Sequence, residues 1–467
     1  MSDASPSTAA SAAAHPWVAR PLWLEVARAS FPIALGMAGH ACFNLVDLLM
    51  VGRLGAAAVA GVHVATTVNF LPMIFANGIS VVTLARMSQL LGAGRETEAR
   101  ALSTRAFWLL TWLGLALGIG MALGTGPCVD VQGVSGAARE AGFHYLLISN
   151  LGTVTMFSLM QASTSLRAQG ETLAPFLLLI GCNLLNIGLN WWLIFGFEPL
   201  GIPALGAPGA AYATVTARFL GALVAGALLA RRGRPLRLGW VAPPLPRGTL
   251  WITVVGSLPN SVQMAVRALT VIVLTRIASD IAGQGAVAAL GVTTRLDTVV
   301  LFGAAGFASA ATAIAGRNLG AREIRRARVA VRWAGAYALL FAAVPAACFA
   351  LLAESIVRTF IAEADALVVD AAREYLLMAA FWYPLAAYSL ALGGGINGSG
   401  RMVPPMVLDL LAFVGFLLPA VITIVSLVDG VSMGTVWMVL VAANLLLALG
   451  YLVYVERGRW LRRVLPR

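Results

Sequence analysis

The stretch FPIALGMAGHACFNLVDLLMVGRLG, residues 31–55, predicts an apolar helix that carries one carboxylate, Asp47. A charged group at the bilayer centre costs roughly 2.5 to 3.5 kcal/mol on insertion scales, so an acid in such a helix indicates function. His40, Asn44 and Asp47 lie at i, i+4 and i+7 and share one helix face. We expect this face to contact protein or water, and Pro32 to mark a bend.

The composition of the whole chain is that of a membrane protein. Of its 467 residues, 60% are apolar and only 11% are charged, whereas about a quarter of the residues of soluble proteins are charged. Apolar stretches of about 20 residues recur about twelve times along the chain. The sequence therefore predicts an all-α polytopic membrane protein with about twelve transmembrane helices.

The arginines account for the net charge of +12 and indicate an orientation. They cluster in the loops after the second, sixth, eighth and twelfth predicted spans, while the opposite loops carry mostly acids. The positive-inside rule then places the arginine-rich loops and both termini in the cytoplasm. We expect a multi-pass protein of a prokaryotic inner membrane, with the lipid bilayer and not a nucleic acid as its partner.

An internal repeat divides the chain into halves. LGA at residues 91–93 recurs at 319–321, and LRAQGETLAP at 166–175 aligns with INGSGRMVPP at 396–405. Because each half has an even number of spans, the halves share one orientation and are related by a pseudo-two-fold axis along the membrane normal. The predicted parts are a disordered cytoplasmic tail (1–20), an N-terminal six-helix bundle (21–232), a cytoplasmic linker (233–248), a C-terminal six-helix bundle (249–457) and a basic cytoplasmic tail (458–467).

With these motifs, the chain resembles the multidrug and toxic compound extrusion (MATE) transporters, and most of all their DinF-like branch. The resemblance spans nearly the whole chain and includes NLVDLLMVGRLG from residue 44, LRAQGETLAP from residue 166, NLLNIGLNWWLIFG from residue 183 and GAPGAAYAT from residue 206. It implies two six-helix bundles around a V-shaped cavity, and export of substrate against an inward gradient of protons or sodium.

The resemblance also implies a proton-coupling site, formed by Asp47, Asn186, Asn190 and Thr214. Many relatives carry aspartate where this chain has Asn190, so Asp47 would act alone. The sodium-coupled branch carries acids in the seventh and tenth spans, and their absence here favours protons. The direction of each predicted span independently places the four side chains at similar depth, in the outer half of the first bundle.

Burial of a carboxylate favours its protonated form, whereas amide and hydroxyl donors favour the ionised form. We therefore hypothesise that protonation of Asp47 changes its hydrogen bonds to Asn186 and Asn190, bends the helix at Pro32 and expels the substrate. A cationic substrate would compete with the proton for the same charge.

Further polar side chains are candidates for the substrate cavity: His40, Asn44, Gln161, Asn183, Arg267 and Asp297. Asp297 either forms an ion pair with Arg267 or Arg295, or these charges line the cavity. Arg218 either extends toward the membrane interface or lines the cavity. The residue of the second half that aligns with Asp47 is Thr270, so we expect the coupling chemistry to lie in one half only.

These patterns favour a monomeric, proton-coupled antiporter that exports small amphipathic organic cations. The chain has no phosphate-binding glycine loop and no nucleophile with a spaced base, so neither an enzyme nor an ATPase is predicted. No metal and no cofactor are expected, the proton gradient being the energy source. The alternatives are a flippase for lipid-linked precursors, a sodium-coupled MATE exporter, and a channel or receptor.

Overall fold

The computed structural model describes residues 21–241, 244, 248–360, 366–428 and 430–462. The predicted tail at 1–20, part of the predicted linker and the last residues of the basic tail lie outside the described residues. Within the described ranges the regular elements are helices, and the β-structure is a single bridge between Phe197 and Ile202.

The first half forms one lobe. Its helices are α1 (Leu22–Gly52), α2 (Ala56–Gly92), α3 (Glu96–Leu123), α4 (Thr125–Asp130), α5 (Gly136–Leu151), α6 (Thr153–Ala168), α7 (Leu173–Phe195) and α8 (Ala207–Ala230). Helix α7 packs between α1 and α8, which brings the polar faces of these three helices together.

The second half forms a second lobe. Its helices are α9 (Thr249–Val255), α10 (Leu258–Gly320), α11 (Ile324–Leu351), α12 (Ala353–Phe360), α13 (Ala366–Gly398), α14 (Val403–Asp409), α15 (Leu418–Leu427) and α16 (Met433–Arg457). Helix α10 is interrupted at Gly283, whose φ of 67° and ψ of −157° suit glycine alone. A π-helical segment, Leu410–Leu417, joins α14 to α15.

Among the described residues, ten helices are long and apolar enough to cross a membrane. The pair α5 and α6, bent by 46°, raises this number to eleven if it is one span. The helix breaks at Gly152, where a Cβ atom would lie 2.2 Å from the side chain of Val215 on α8. The span predicted near 249–276 is divided between α9 and the start of α10, and it is not among the ten. The chain is an all-α multi-pass membrane protein.

The two lobes meet at their arginine-rich end through two equivalent contacts. Gln89 Nε2 donates to the carbonyl of Gly398 at 2.7 Å, and Arg317 donates to the carbonyl of Ala168 at 2.9 Å. A Cβ atom on Gly92 or Gly320 would lie 2.0 Å from the backbone oxygen of the opposite lobe. Residues 89, 92 and 168 correspond to 317, 320 and 398 in the sequence repeat. We call these six residues the basic-end seal.

Candidate functional site

Asp47 lies at the junction of α1 and α7, where two asparagine amides face it. Asn190 Nδ2 donates to Asp47 Oδ1 at 2.6 Å. With its amide nitrogen turned toward the carboxylate, Asn186 donates to Oδ1 at 2.8 Å and to Oδ2 at 2.9 Å, and its oxygen accepts the backbone N–H of Thr214 at 3.2 Å. Three hydrogen bonds to one carboxylate explain how an acid is tolerated in an apolar helix.

A second polar contact joins the same two helices one to two turns nearer the basic end. His40 Nδ1 lies 3.0 Å from Asn183 Oδ1. The spacing of Asn183, Asn186 and Asn190 on one face of α7 accounts for both contacts. The structure thus brings together the four side chains predicted for proton coupling, Asp47, Asn186, Asn190 and Thr214. Their role in coupling stays a prediction.

A cavity opens beside this cluster. Its polar wall consists of His40, Asn44, Asp47, Ser163, Arg167, Asn183, Asn186, Thr214 and Arg218. Its apolar wall includes Met37, Met73, Met156, Met160, Phe176, Leu179 and, from the second lobe, Phe302. Asn190 is fully buried behind the cavity wall. His40, Asn44 and Asn183 line the cavity, and of the two alternatives for Arg218 the structure favours lining.

Gln161 was predicted to line the cavity, and this was wrong. Its side chain is fully buried, and its Oε1 accepts a hydrogen bond from the Thr83 hydroxyl at 3.3 Å. Gln161 thus connects α6 to α2 inside the first lobe. Gln161 and Ser163 are two residues apart on α6, so their side chains point in different directions, and Ser163 lines the cavity.

The predicted ion pair of Asp297 was also wrong. Asp297 accepts hydrogen bonds from the hydroxyls of Tyr375, at 2.7 Å, and Tyr383. Arg267 instead donates to Asp409, with Nε 2.6 Å from Oδ2. Both groups lie in the second lobe, away from the cavity described above, so neither Arg267 nor Asp297 lines it.

Asp409 is the residue that the sequence analysis missed. It is fully buried and also accepts the Tyr451 hydroxyl at 2.9 Å. The sequence does contain the signal, because Asp409 is an acid within a predicted apolar span, as Asp47 is. Among the described residues, the second lobe therefore contains a fully buried acid, Asp409, and a partly buried acid, Asp297, although neither aligns with Asp47. The described residues contain no group of three or more His, Cys, Asp or Glu side chains placed to hold a metal ion.

Comparisons with known proteins place this architecture in a family. The MatE family model matches residues 32–192 and 259–425, one match in each lobe. The chain is 24% identical to a probable multidrug resistance protein NorM of Thermotoga maritima, over 90% of this chain and 89% of the relative. It is 25% identical to the probable multidrug resistance protein YoeA of Bacillus subtilis, over 95% and 96% of the two chains.

The fold agrees as well. A solved outward-facing structure of a multidrug resistance MATE family transporter superposes with a TM-score of 0.87, at 21% identity, over 95% of this chain and 97% of that one. The comparisons do not separate the branches of the family, so the DinF-like assignment stays a prediction. With a family match in both lobes and the same two-lobed fold, the chain belongs to the MatE family of transporters.

Proposed function

We propose that this transporter is a proton-coupled antiporter that exports amphipathic organic cations from the cytoplasm. The names of its relatives, multidrug resistance proteins, support a role in drug efflux. One observation carries the proposal of proton coupling: the Asp47 carboxylate lies in the wall of the cavity and has asparagine amides as its partners.

The asparagine amides can form hydrogen bonds with Asp47 in both its ionised and its protonated form. The ionised carboxylate accepts from Asn186 and Asn190, as described above. Asn190 Oδ1 is buried and accepts no hydrogen bond from the described residues. When Asp47 is protonated, rotation of the Asn190 amide places this oxygen where it accepts the acidic proton. Proton binding thus exchanges one hydrogen-bonded arrangement for another, which is what a two-state switch needs.

Helix α1 transmits this exchange. Pro32 has no N–H group, so the carbonyl of Arg28 lacks its helical partner. The hydroxyl of Thr172, just before α7, donates to that carbonyl at 3.4 Å. Helix α1 thus contacts α7 at Asp47 and the turn before α7 at the Arg28 carbonyl. A change at Asp47 can bend α1 about Pro32 without leaving a backbone group unpaired.

The cavity wall supports transport of varied substrates. Met37, Met73, Met156 and Met160 line it. Methionine has a flexible, polarisable side chain, which adapts to ligands of different shape. A cation in this cavity would be attracted by ionised Asp47, so proton and substrate would compete for one negative charge.

Purified protein in liposomes tests the proposal, with the ethyl ester of rhodamine B as a fluorescent amphipathic cation and the membrane potential clamped at zero. A pH gradient should drive accumulation of the ester, and a sodium gradient at equal pH on both sides should not. Accumulation driven by sodium alone would overturn proton coupling and favour the sodium-coupled alternative.

A further inference from the structure

Arg218 occupies a position in the cavity that the coupling mechanism does not use. It lies one helical turn after Thr214 on α8 and on the same face, about 6 Å nearer the basic end. Its side chain contributes to the cavity wall together with His40 and Asp47. The cavity wall therefore carries the positive charge of Arg218, nearer the basic end than the Asp47 carboxylate.

The surroundings of Arg218 differ from those of two other enclosed arginines, Arg167 and Arg267. Arg167 donates to the carbonyl of Ser163 and to the hydroxyls of Thr164 and Ser309. Arg267 is paired with Asp409. For Arg218, the described residues provide no acidic oxygen within 4 Å and no side-chain hydrogen bond; Asp47, Tyr145 and Cys182 act on it only electrostatically at longer range.

Asp47 does not form an ion pair with Arg218 and acts on it only at longer range. Its two oxygens already accept hydrogen bonds from Asn186 and Asn190. A guanidinium withdrawn from water without a carboxylate beside it is costly, and the cost falls when a ligand supplies the anion. Its planar donors match the two oxygens of a carboxylate.

We infer that Arg218 binds an oxyanion of the substrate, such as a carboxylate, so that the cavity prefers zwitterionic amphipathic molecules over simple cations. This inference rests on the proposed function and refines its substrate class. The basic group of the substrate would lie near Asp47 and its acidic group one turn deeper, at Arg218. Each charge of the substrate would then lie beside a group of opposite charge in the cavity wall.

A matched pair of dyes tests this inference. Rhodamine B carries a free carboxylate, and its ethyl ester is the same molecule without that negative charge. In liposomes containing the wild-type protein, we expect the KM for rhodamine B to be about tenfold lower than the KM for the ester. Arg218→Gln should raise the KM for rhodamine B about tenfold and should not raise the KM for the ester, because the ester has no carboxylate for Arg218 to bind, so the preference for rhodamine B should be lost.

Two further variants distinguish a loss of substrate recognition from a loss of folding. Arg218→Lys, which retains the charge but not the planar donors, should keep part of the preference. Arg295→Gln, at a half-buried arginine outside the cavity wall, should keep all of it. Equal KM values for the two dyes in the wild type, or an equal rise for both dyes in Arg218→Gln, would overturn the inference. The ester would still be driven by a pH gradient in that case, so the proposed function would stand; loss of ester transport in the wild type would instead refute the proposed function.

Discussion

The polar residues around Asp47 do not all contact its carboxylate. Asn190 and Asn186 contact the carboxylate directly, whereas Thr214 contacts Asn186 and not Asp47. Loss of a hydrogen bond to a charged group costs about 1.5–3 kcal/mol, more than loss of a neutral one. The three positions should therefore differ in their contribution to coupling.

We predict that Asn190→Leu slows pH-driven transport of the rhodamine ester by at least about tenfold, since a loss of about 1.4 kcal/mol corresponds to a factor of ten. Thr214→Val should slow transport by no more than about threefold, because valine keeps the backbone N–H that Asn186 accepts, and the substitution removes only a neutral hydroxyl. Initial rates in liposomes measure both effects. An equal loss in the two variants would show that the direct contact with Asp47 has no special role.

The family resemblance implied the residues of this cluster, and two features of the sequence independently agreed: helix periodicity fixes which side chains share a face, and span direction fixes their depth. Asp47, Asn186, Asn190 and Thr214 meet for those two reasons. The partners of Asp297 and Arg267 could not be predicted in this way. They depend on how α10 is rotated against α13 and α14, and on the choice between a tyrosine hydroxyl and a guanidinium as donor, which one sequence does not specify.

At the scale of helices, α1 is stabilised at Pro32 by a contact from outside the helix. The Thr172 hydroxyl replaces the missing backbone donor to Arg28. Thr172 belongs to the segment LRAQGETLAP, whose recurrence identified the repeat. The proline was predicted to bend the helix, but the group that compensates for it could be seen only in the structure.

Thr172→Val should leave the Arg28 carbonyl without this donor while preserving the shape of the side chain. We expect the variant to retain its folded state, with a melting temperature in detergent lowered by only a few degrees, since a partly exposed neutral hydrogen bond contributes about 0.5–1.5 kcal/mol. Its kcat should change more than its KM, because the proposed mechanism bends α1 during turnover. Thr172→Ser, which keeps the hydroxyl, should match the wild type; an unchanged kcat in Thr172→Val would argue against this role.

In the second lobe, Arg267 and Asp409 connect α10 to the start of the π-helical segment. Removal of one member of a buried ion pair strands the other charge and costs about 3–5 kcal/mol, whereas replacement of both by apolar groups is often neutral. We predict that Arg267→Met and Asp409→Leu each lower the melting temperature, and that the double variant is more stable than either. A double variant less stable than both single variants would contradict this account of the pair.

At the scale of the whole molecule, the two lobes meet through a repeated contact. The basic-end seal uses the same residue positions twice, and its glycines leave no room for a side chain. The positive-inside rule predicts that this end faces the cytoplasm. The proposed transport cycle then requires the seal to open when substrate enters from that side. The two-lobed arrangement followed from the sequence repeat, but the pairing of Gln89 with Gly398 required the packed lobes.

A methyl group at the seal should separate the lobes. Gly92→Ala and Gly320→Ala each place a Cβ atom against backbone of the opposite lobe, so we predict at least a tenfold loss of transport. Spin labels at Ala93 and Glu323, with the four native cysteines replaced, should report a longer distance between the lobes. Gly120→Ala is the matched control, because nothing lies within 4 Å of a Cβ atom there. Unchanged distances in both seal variants would show that the seal does not control closure.

In the proposed mechanism, proton and substrate compete for Asp47. Purified protein in weakly buffered detergent, mixed with the rhodamine ester and a pH-sensitive dye, measures this competition directly. We predict that the wild type releases protons on binding the ester, and that Asp47→Asn binds the ester more weakly and releases none. Proton release of equal size from Asp47→Asn would contradict the account and place the coupling proton elsewhere, with Asp297 and Asp409 as the acids to examine first.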